Sequence, residues 1–408
     1  MTIPREFPVF AAHTSRNLLV VGAIAALAWL ALNRTSIGAS MGSYLAAWTL
    51  LLGASLGSAA LLLVHRLTGG AWGADLAPWL LAQARTLILV ALLAVPLLFH
   101  LHALFPWTNA PIGGDAHASS WYLNPPFFLG REAVLLLAWI FLVRSNFLAY
   151  ESPAARKGPD DDDSDNDRGD HEPAPATSQA RVALGLVFYL VTVTICSVDW
   201  IMSLTAQWVS TVFGMLQAVS QVLCALTIAV IGTVRMRRAS TQKLTAESTR
   251  ETTPRWADLL HDQGNLLLVL VMVWAYLAFM QYLIMWIEDL PRDISWYAPR
   301  LLTTWVDFSI LVVVLHFALP LLLLVHRGVK RNPVWLCAVC AIVLLACIGD
   351  SLWLVMPGLR PRGIEFHLAD LLTFVALLAF WGAALFRNLA GKPPTLSATR
   401  ITDMPLVS

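Results

Sequence analysis

Charge is what this sequence has least of. Asp, Glu, Lys and Arg together make up 13% of the 408 residues while apolar residues make up 58%, against about a quarter and about half in water-soluble domains. So little charge cannot cover a water-facing surface, which excludes an ordinary soluble enzyme and predicts an all-α integral membrane protein. The formal net charge is +1. No basic cluster with interleaved aromatics occurs, so nucleic acid is not an expected partner and membrane lipid is.

Cysteine and ligand motifs are equally sparse. Cys196, Cys224, Cys337, Cys340 and Cys347 all fall inside apolar stretches, without the loop spacing of a zinc or iron-sulfur site. The Cys337-x-x-Cys340 pair is one helical turn inside hydrocarbon and reads as packing. Haem b needs two facing histidines at mid-depth, and only His316 sits there. No G-x-x-x-x-G-K-[ST] loop exists for nucleotide phosphates. The expectation is a chain with no metal and no cofactor of its own. The N-terminus also lacks a compact signal-peptide pattern, so Ser15 to Asn33 is expected to remain as a helix.

Long apolar runs, by contrast, are plentiful. Spans of about 20 residues are expected near Leu18–Leu32, Tyr44–Val64, Trp79–Leu101, Phe127–Phe147, a hairpin within Val182–Val234 that counts as two, Gly264–Ile287, Leu301–Val325, Val334–Val355 and Leu368–Leu389. That makes ten spans. The hairpin reads SVDWIMSLTAQWVSTVFG across its bend and places Asp199, Trp200, Ser203, Gln207 and Trp208 at the tip.

An even number of spans puts both termini on one side. With a cytoplasmic N-terminus, Arg66, Arg156, Lys157, Arg235, Arg237, Arg238, Arg327, Lys330, Arg331 and Arg387 fall inside, and only Arg34, Arg292, Arg300, Arg360 and Arg362 fall outside. This asymmetry predicts both termini in the cytoplasm. Residues 151–178 contain a Pro-rich acidic run, GPDDDDSDNDRGDHEPAPAT, expected to be a disordered linker. The basic stretch Met236–Trp256 reads as a cytoplasmic connection.

A faint internal echo divides the chain. Cys196-Ser-Val-Asp199 and Cys347-Ile-Gly-Asp350 each close an outward-running span, and four spans separate them, the pattern of parallel repeats about an axis along the membrane normal. The expected units are 1–42, a tail with a peripheral first helix; 43–204, one four-helix bundle; 206–356, a second; and 357–408, a peripheral tenth helix with its tail. Ionisable groups crowd the expected outer side: His100, His102, Arg131, Glu132, Asp199, Glu288, Asp289, Asp307, Asp350 and Asp370, with His316 alone near the middle. Charge at such depth is expensive and points to function.

Two stretches carry a resemblance. SVDWIMSLTAQWVSTVFG and FMQYLIMWIEDLPRDISWYAPR resemble the membrane subunits of the polysulfide-reductase, NrfD-like family, closest to the second such subunit (the F subunit) of bacterial alternative complex III, a quinol:cytochrome c oxidoreductase. Glu288-Asp289 stands where that family often has Gly-Asn. The resemblance implies two four-helix bundles and a quinol site or proton path near the periplasmic face. Its candidate residues are His100, Arg131, Glu132 and Asp199, with Asp307 and Asp350 beside them; His102, Glu288, Asp289, His316 and Asp370 are secondary. It also implies quinol as substrate, and as partners a sister NrfD-like subunit, periplasmic iron-sulfur and haem c subunits and a terminal cytochrome oxidase. The alternatives are a structural anchor of that complex without its own quinol site, and an autonomous transporter.

Overall fold

The computed structural model describes residues 7–33, 37–109, 121–151, 176–205, 208–241 and 249–391, and among these every regular element is helical. Ten helices are long and apolar enough to cross a membrane. They are α1 (Phe7–Leu32), α2 (Met41–Thr68), α3 (Ala71–Phe99), α4 (Pro125–Glu151), α5 (Ala176–Trp200), α6 (Phe213–Thr241), α7 (Thr249–Glu288), α8 (Trp305–Leu324), α9 (Pro333–Leu359) and α10 (Leu368–Ala390). A short helix, Pro291–Leu301, lies between α7 and α8. The protein is an all-α, multi-pass membrane protein. The acidic run and Gln207 lie outside the described residues.

The boundaries depart from the apolar runs for identifiable reasons. α1 begins at Phe7 rather than Leu18, because the buried Ser15 hydroxyl in its polar first half donates to the α10 carbonyl of Ala383 at 2.8 Å. Much of the expected 236–256 connection is helix, since α6 runs on to Thr241 and α7 starts at Thr249. With 40 residues, α7 is about 60 Å long, so it projects well beyond a hydrocarbon core of about 30 Å.

Two spans are interrupted. α3 breaks at Arg85-Thr86, at Ala94 and at His100. Thr86 turns its hydroxyl onto the Gln83 carbonyl (2.6 Å) and meets Ser55 of α2 (2.8 Å), while Pro96 has no N–H to continue the ladder. α8 carries a π-helical turn, Val314–Ala318, just ahead of Pro320. A proline ring collides with the carbonyl four residues earlier, here that of His316, and widening the turn relieves the clash.

α2 is the axis of the molecule: 89% of its apolar window is buried, compared with 17% for α1 and α8. It crosses α6 so closely that a Cβ at Gly57 would overlap the Gln221 carbonyl, and one at Gly53 would stand 3.1 Å from Gln221 Cγ. Gly53-x-x-x-Gly57 is the small-residue spacing that lets membrane helices approach backbone to backbone. Around this crossing α5 packs on both α2 and α6, and α9 does the same. Exchanging α2 with α6 and α5 with α9 leaves that set of contacts unchanged. α1 lies against α10, which in turn packs on α2 and α3.

Arg300 fastens the short Pro291–Leu301 helix to α9. Its side chain is fully buried and stacks on Trp296 at 3.5 Å, while its guanidinium donates to the carbonyls of Trp296, Trp353 (3.2 Å) and Leu354 (2.8 Å). Trp353 is four residues before Pro357, which lies inside α9. Lacking an N–H, Pro357 leaves that carbonyl without its helical donor, and Arg300 supplies one.

Two outcomes test this framework. Gly57→Val forces α2 and α6 apart and should lower stability in detergent by about 1 to 3 kcal/mol or more, read as a drop in melting temperature. Gly328→Ala, whose Cβ meets nothing within 4 Å, should melt with wild type. Arg300→Leu strips donors from the two α9 carbonyls and should cost about 2 to 4 kcal/mol; a melting temperature equal to wild type would show that α9 tolerates Pro357 unaided.

Candidate functional site

At the end of the bundle shared by α4 and α5, three ionisable side chains meet. α4 starts sharply: Asn124 accepts from the Phe127 N–H at 3.0 Å, and Pro125 and Pro126 follow it directly. Its second turn presents Arg131 and Glu132. Arg131 holds Asp199 of α5 through both carboxylate oxygens, Nε to Oδ2 at 2.6 Å and Nη2 to Oδ1 at 2.7 Å, the strong two-pronged geometry. Asp199 is completely enclosed. On its outer side the guanidinium lies over the Tyr122 ring at 3.9 Å and the Phe127 ring at 4.9 Å.

Tyr122 is part of the same unit. Its hydroxyl pKa is raised, first by burial and then by the negative charge of Asp199. It therefore stays a donor at any ordinary pH.

Glu132 is also fully enclosed. Its Oε2 accepts from the Trp200 indole at 2.7 Å, while Oε1 has no donor. The Glu132 carboxyl group lies beside that of Asp199, and two carboxylates cannot bond each other without a proton between them. One cation thus faces two acids. The cluster is neutral when it holds one proton and carries an uncompensated charge when it holds none. Water is kept out by aromatic rings: Trp48 packs on Trp200 at 4.7 Å, Phe128 at 5.2 Å and Phe105 at 6.0 Å.

Asp350 and His316 lie elsewhere. α9 continues to Leu359 instead of ending near Val355, so Asp350 is nine residues, about 13 Å, from the helix end, deeper than Asp199 at the close of α5. It lines a small cavity of about 30 Å³ with Thr49, Gly53, Gln217, Ser220, Gln221 and Cys347, room for a water molecule. Ser220 donates to Asp350 at 3.4 Å, and Gln221 accepts from Tyr189 at 3.0 Å. His316, in the π turn of α8, stacks on Trp274 at 4.0 Å and reaches Cys347 Sγ at 4.0 Å; its Nδ1 has no partner.

The remaining candidates are not brought together. His100 is half-buried and its Nδ1 is spent on the Pro96 carbonyl at 2.9 Å. His102, Asp307, Glu288 and Asp289 are exposed. Asp307 sits in the first turn of α8, where the helix dipole favours it. Asp289 ends α7 with φ 47°, a left-handed conformation that Gly, Asn or Asp adopts with least strain. Asp370 is a helix cap: it accepts from the His367 N–H at 2.8 Å and from Arg360 at 2.8 and 3.1 Å. Among the described residues no group of three or more His, Cys, Asp or Glu is placed to hold a metal ion.

Sequence reasoning did not find Tyr122, Trp48 or the Gly53–Gly57 crossing. The glycine pair had a readable signal in its spacing. Tyr122 and Trp48 had none, because each acts across the fold. Removing the cation tests the cluster. Arg131→Leu leaves two buried acids without a counter-charge and should cost about 3 to 5 kcal/mol, seen as reduced folded yield and a lower melting temperature. Adding Asp199→Asn should restore most of the yield. A single variant as stable as wild type would show that the pair is dispensable.

Comparison with protein-family models and with curated protein sequences finds no match to this chain.

Proposed function

We propose that this chain is a membrane subunit of a quinol-oxidising respiratory complex of the alternative complex III type, and that its Arg131–Asp199–Glu132 cluster is a proton-holding station near the face where quinol is oxidised. The observation that carries the reading is a second enclosed acid, Glu132, whose Oε1 has no donor, next to the Arg131–Asp199 pair, so that one guanidinium serves two acids. A cluster meant only to fasten α4 to α5 needs one acid, and a second buried one adds cost. Oxidation of a quinol releases two protons with two electrons, so a base at the site and a path away from it are both required.

In this reading the electrons leave through partner subunits bearing iron-sulfur and haem c groups, and this chain handles protons. Tyr122, the most outward member, is the hydroxyl through which the enclosed acids exchange protons with the quinol or with water. Asp350, Ser220 and the neighbouring cavity form a second polar station deeper in the membrane, with His316 behind Cys347. The chain sits in the bacterial inner membrane beside a sister NrfD-like subunit, both termini cytoplasmic. The anchor reading has its own observation, since Asp370, Arg360 and Arg300 serve helix ends. It leaves the second acid of the cluster unexplained.

The test begins with isolation of the native complex and assay of quinol:cytochrome c activity. Glu132→Gln and Asp199→Asn should assemble with haem c and iron-sulfur partners yet lower turnover about 100-fold or more, the range for loss of a proton-transfer group. Wild-type turnover in both variants would remove the proton role and leave the anchor. A chain that purifies alone, without redox partners, would overturn the assignment to such a complex.

A further inference from the structure

On the side opposite the Arg131–Asp199 cluster, α3, α4 and α10 part over a short stretch. They leave a cavity of about 640 Å³, within the size range of small-molecule sites. Three arginines line it, Arg85 from α3, Arg144 from α4 and Arg387 from α10, and no lining residue is acidic. Arg144 and Arg387 are exposed. Their level follows from helix geometry at 1.5 Å per residue. Arg144 is about 20 Å along α4 from Arg131, and Arg387 is about 25 Å along α10 from Asp370. Arg85 is about 22 Å along α3 from His100. All three therefore stand near the far edge of a hydrocarbon core about 30 Å thick.

The walls change character with depth. Leu87, Ile88 and Leu92 of α3 and Ile140 of α4 continue the cavity from the arginines toward the membrane interior, and Leu92 lies about 10 Å beyond Arg85 along the helix. Cationic at one end and hydrocarbon at the other, the cavity is complementary to a molecule with an anionic head and apolar tails. A free phosphate ion would occupy the arginine end and leave the apolar walls uncovered. Basic pockets between membrane helices on this kind of face take anionic lipid headgroups, and guanidinium forks match phosphate oxygens. We propose that the cavity binds one anionic glycerophospholipid, its phosphate on Arg144, Arg387 and Arg85 and its acyl chains against Ile88, Leu92 and Ile140. The proposal does not depend on the quinol reading, since it concerns other residues on the other face.

The experiment uses the full chain, purified in neutral detergent and placed in nanodiscs of phosphatidylcholine with a graded fraction of phosphatidylglycerol. Bound lipid is read by native mass spectrometry after detergent exchange, and stability by thermal melting. Wild type should retain phosphatidylglycerol over phosphatidylcholine and melt higher as its fraction rises. Arg144→Gln with Arg387→Gln should weaken that retention about tenfold or more, with an unchanged melting temperature in pure phosphatidylcholine. Arg144→Lys with Arg387→Lys should keep a larger part of it, since the charge remains. Equal retention of the two lipids by wild type overturns the proposal without recourse to any variant. So does full retention by the glutamine variant, and so does displacement of the lipid by millimolar inorganic phosphate, which would mark a simple anion site.

Discussion

The crossing of α2 over α6 leaves no room for a side chain, and much of the polar arrangement inside the membrane depends on it. Between lipid-facing helices there is little hydrophobic gain on association, because lipid tails are as apolar as the side chains they would replace. Close backbone approach and hydrogen bonds must hold the bundle instead. Gly53 and Gly57 bring the Gln221 backbone against α2, which fixes the Gln221 side chain where Tyr189 of α5 can donate to it. The same contact sets α6 at the distance from α9 that leaves the small cavity beside Asp350. A wider crossing would break the first interaction and flood or collapse the second.

Buried charge is resolved here in contrasting ways, and the contrast separates structure from chemistry. Arg300 has no acid against it; carbonyl oxygens and the faces of Trp296 and Trp353 surround it. None of those partners can take up or release a proton near neutral pH, so the arrangement is fixed. Asp370 is similarly bound to a helix end and to Arg360. The Arg131 cluster differs because its acids outnumber its cation and Glu132 Oε1 has no donor. Adding one proton brings its net charge to zero.

The number of spans was legible because hydrocarbon thickness imposes a length on every apolar run, and so was the crowding of ionisable groups near one end of the helices. Arg131, Glu132 and Asp199 stood out as charges in apolar surroundings. What could not be read was which charges meet. His100 and Asp307 look as promising in the sequence as Glu132, yet one is turned onto its own helix and the other is exposed. Tyr122 lies outside the spans and gives no signal until the start of α4 folds it over Arg131. Helix ends past the hydrocarbon were also hidden, because polar residues with good helix propensity continue a helix that hydropathy says has stopped.

Pro357 shows how such a hidden boundary changes a functional inference. Read as a stop, it ends α9 early and puts Asp350 level with Asp199, as the matching Cys-x-x-Asp motifs suggest. Arg300 lets the helix run through the proline, and Asp350 then lies about 13 Å from the end of α9. His316, eleven residues into α8, is about 16 Å from the same face. These two groups therefore share a depth near the middle of the membrane, while Asp199 and Glu132 stay close to its edge. The two motifs sit in different environments: one acid is locked to a cation beneath a tyrosine, the other faces a hydroxyl and a water-sized space. An ion pair near the edge and a polar pocket nearer the middle are thus two separate settings for a buried acid, one closed by a guanidinium and the other left beside a water-sized space.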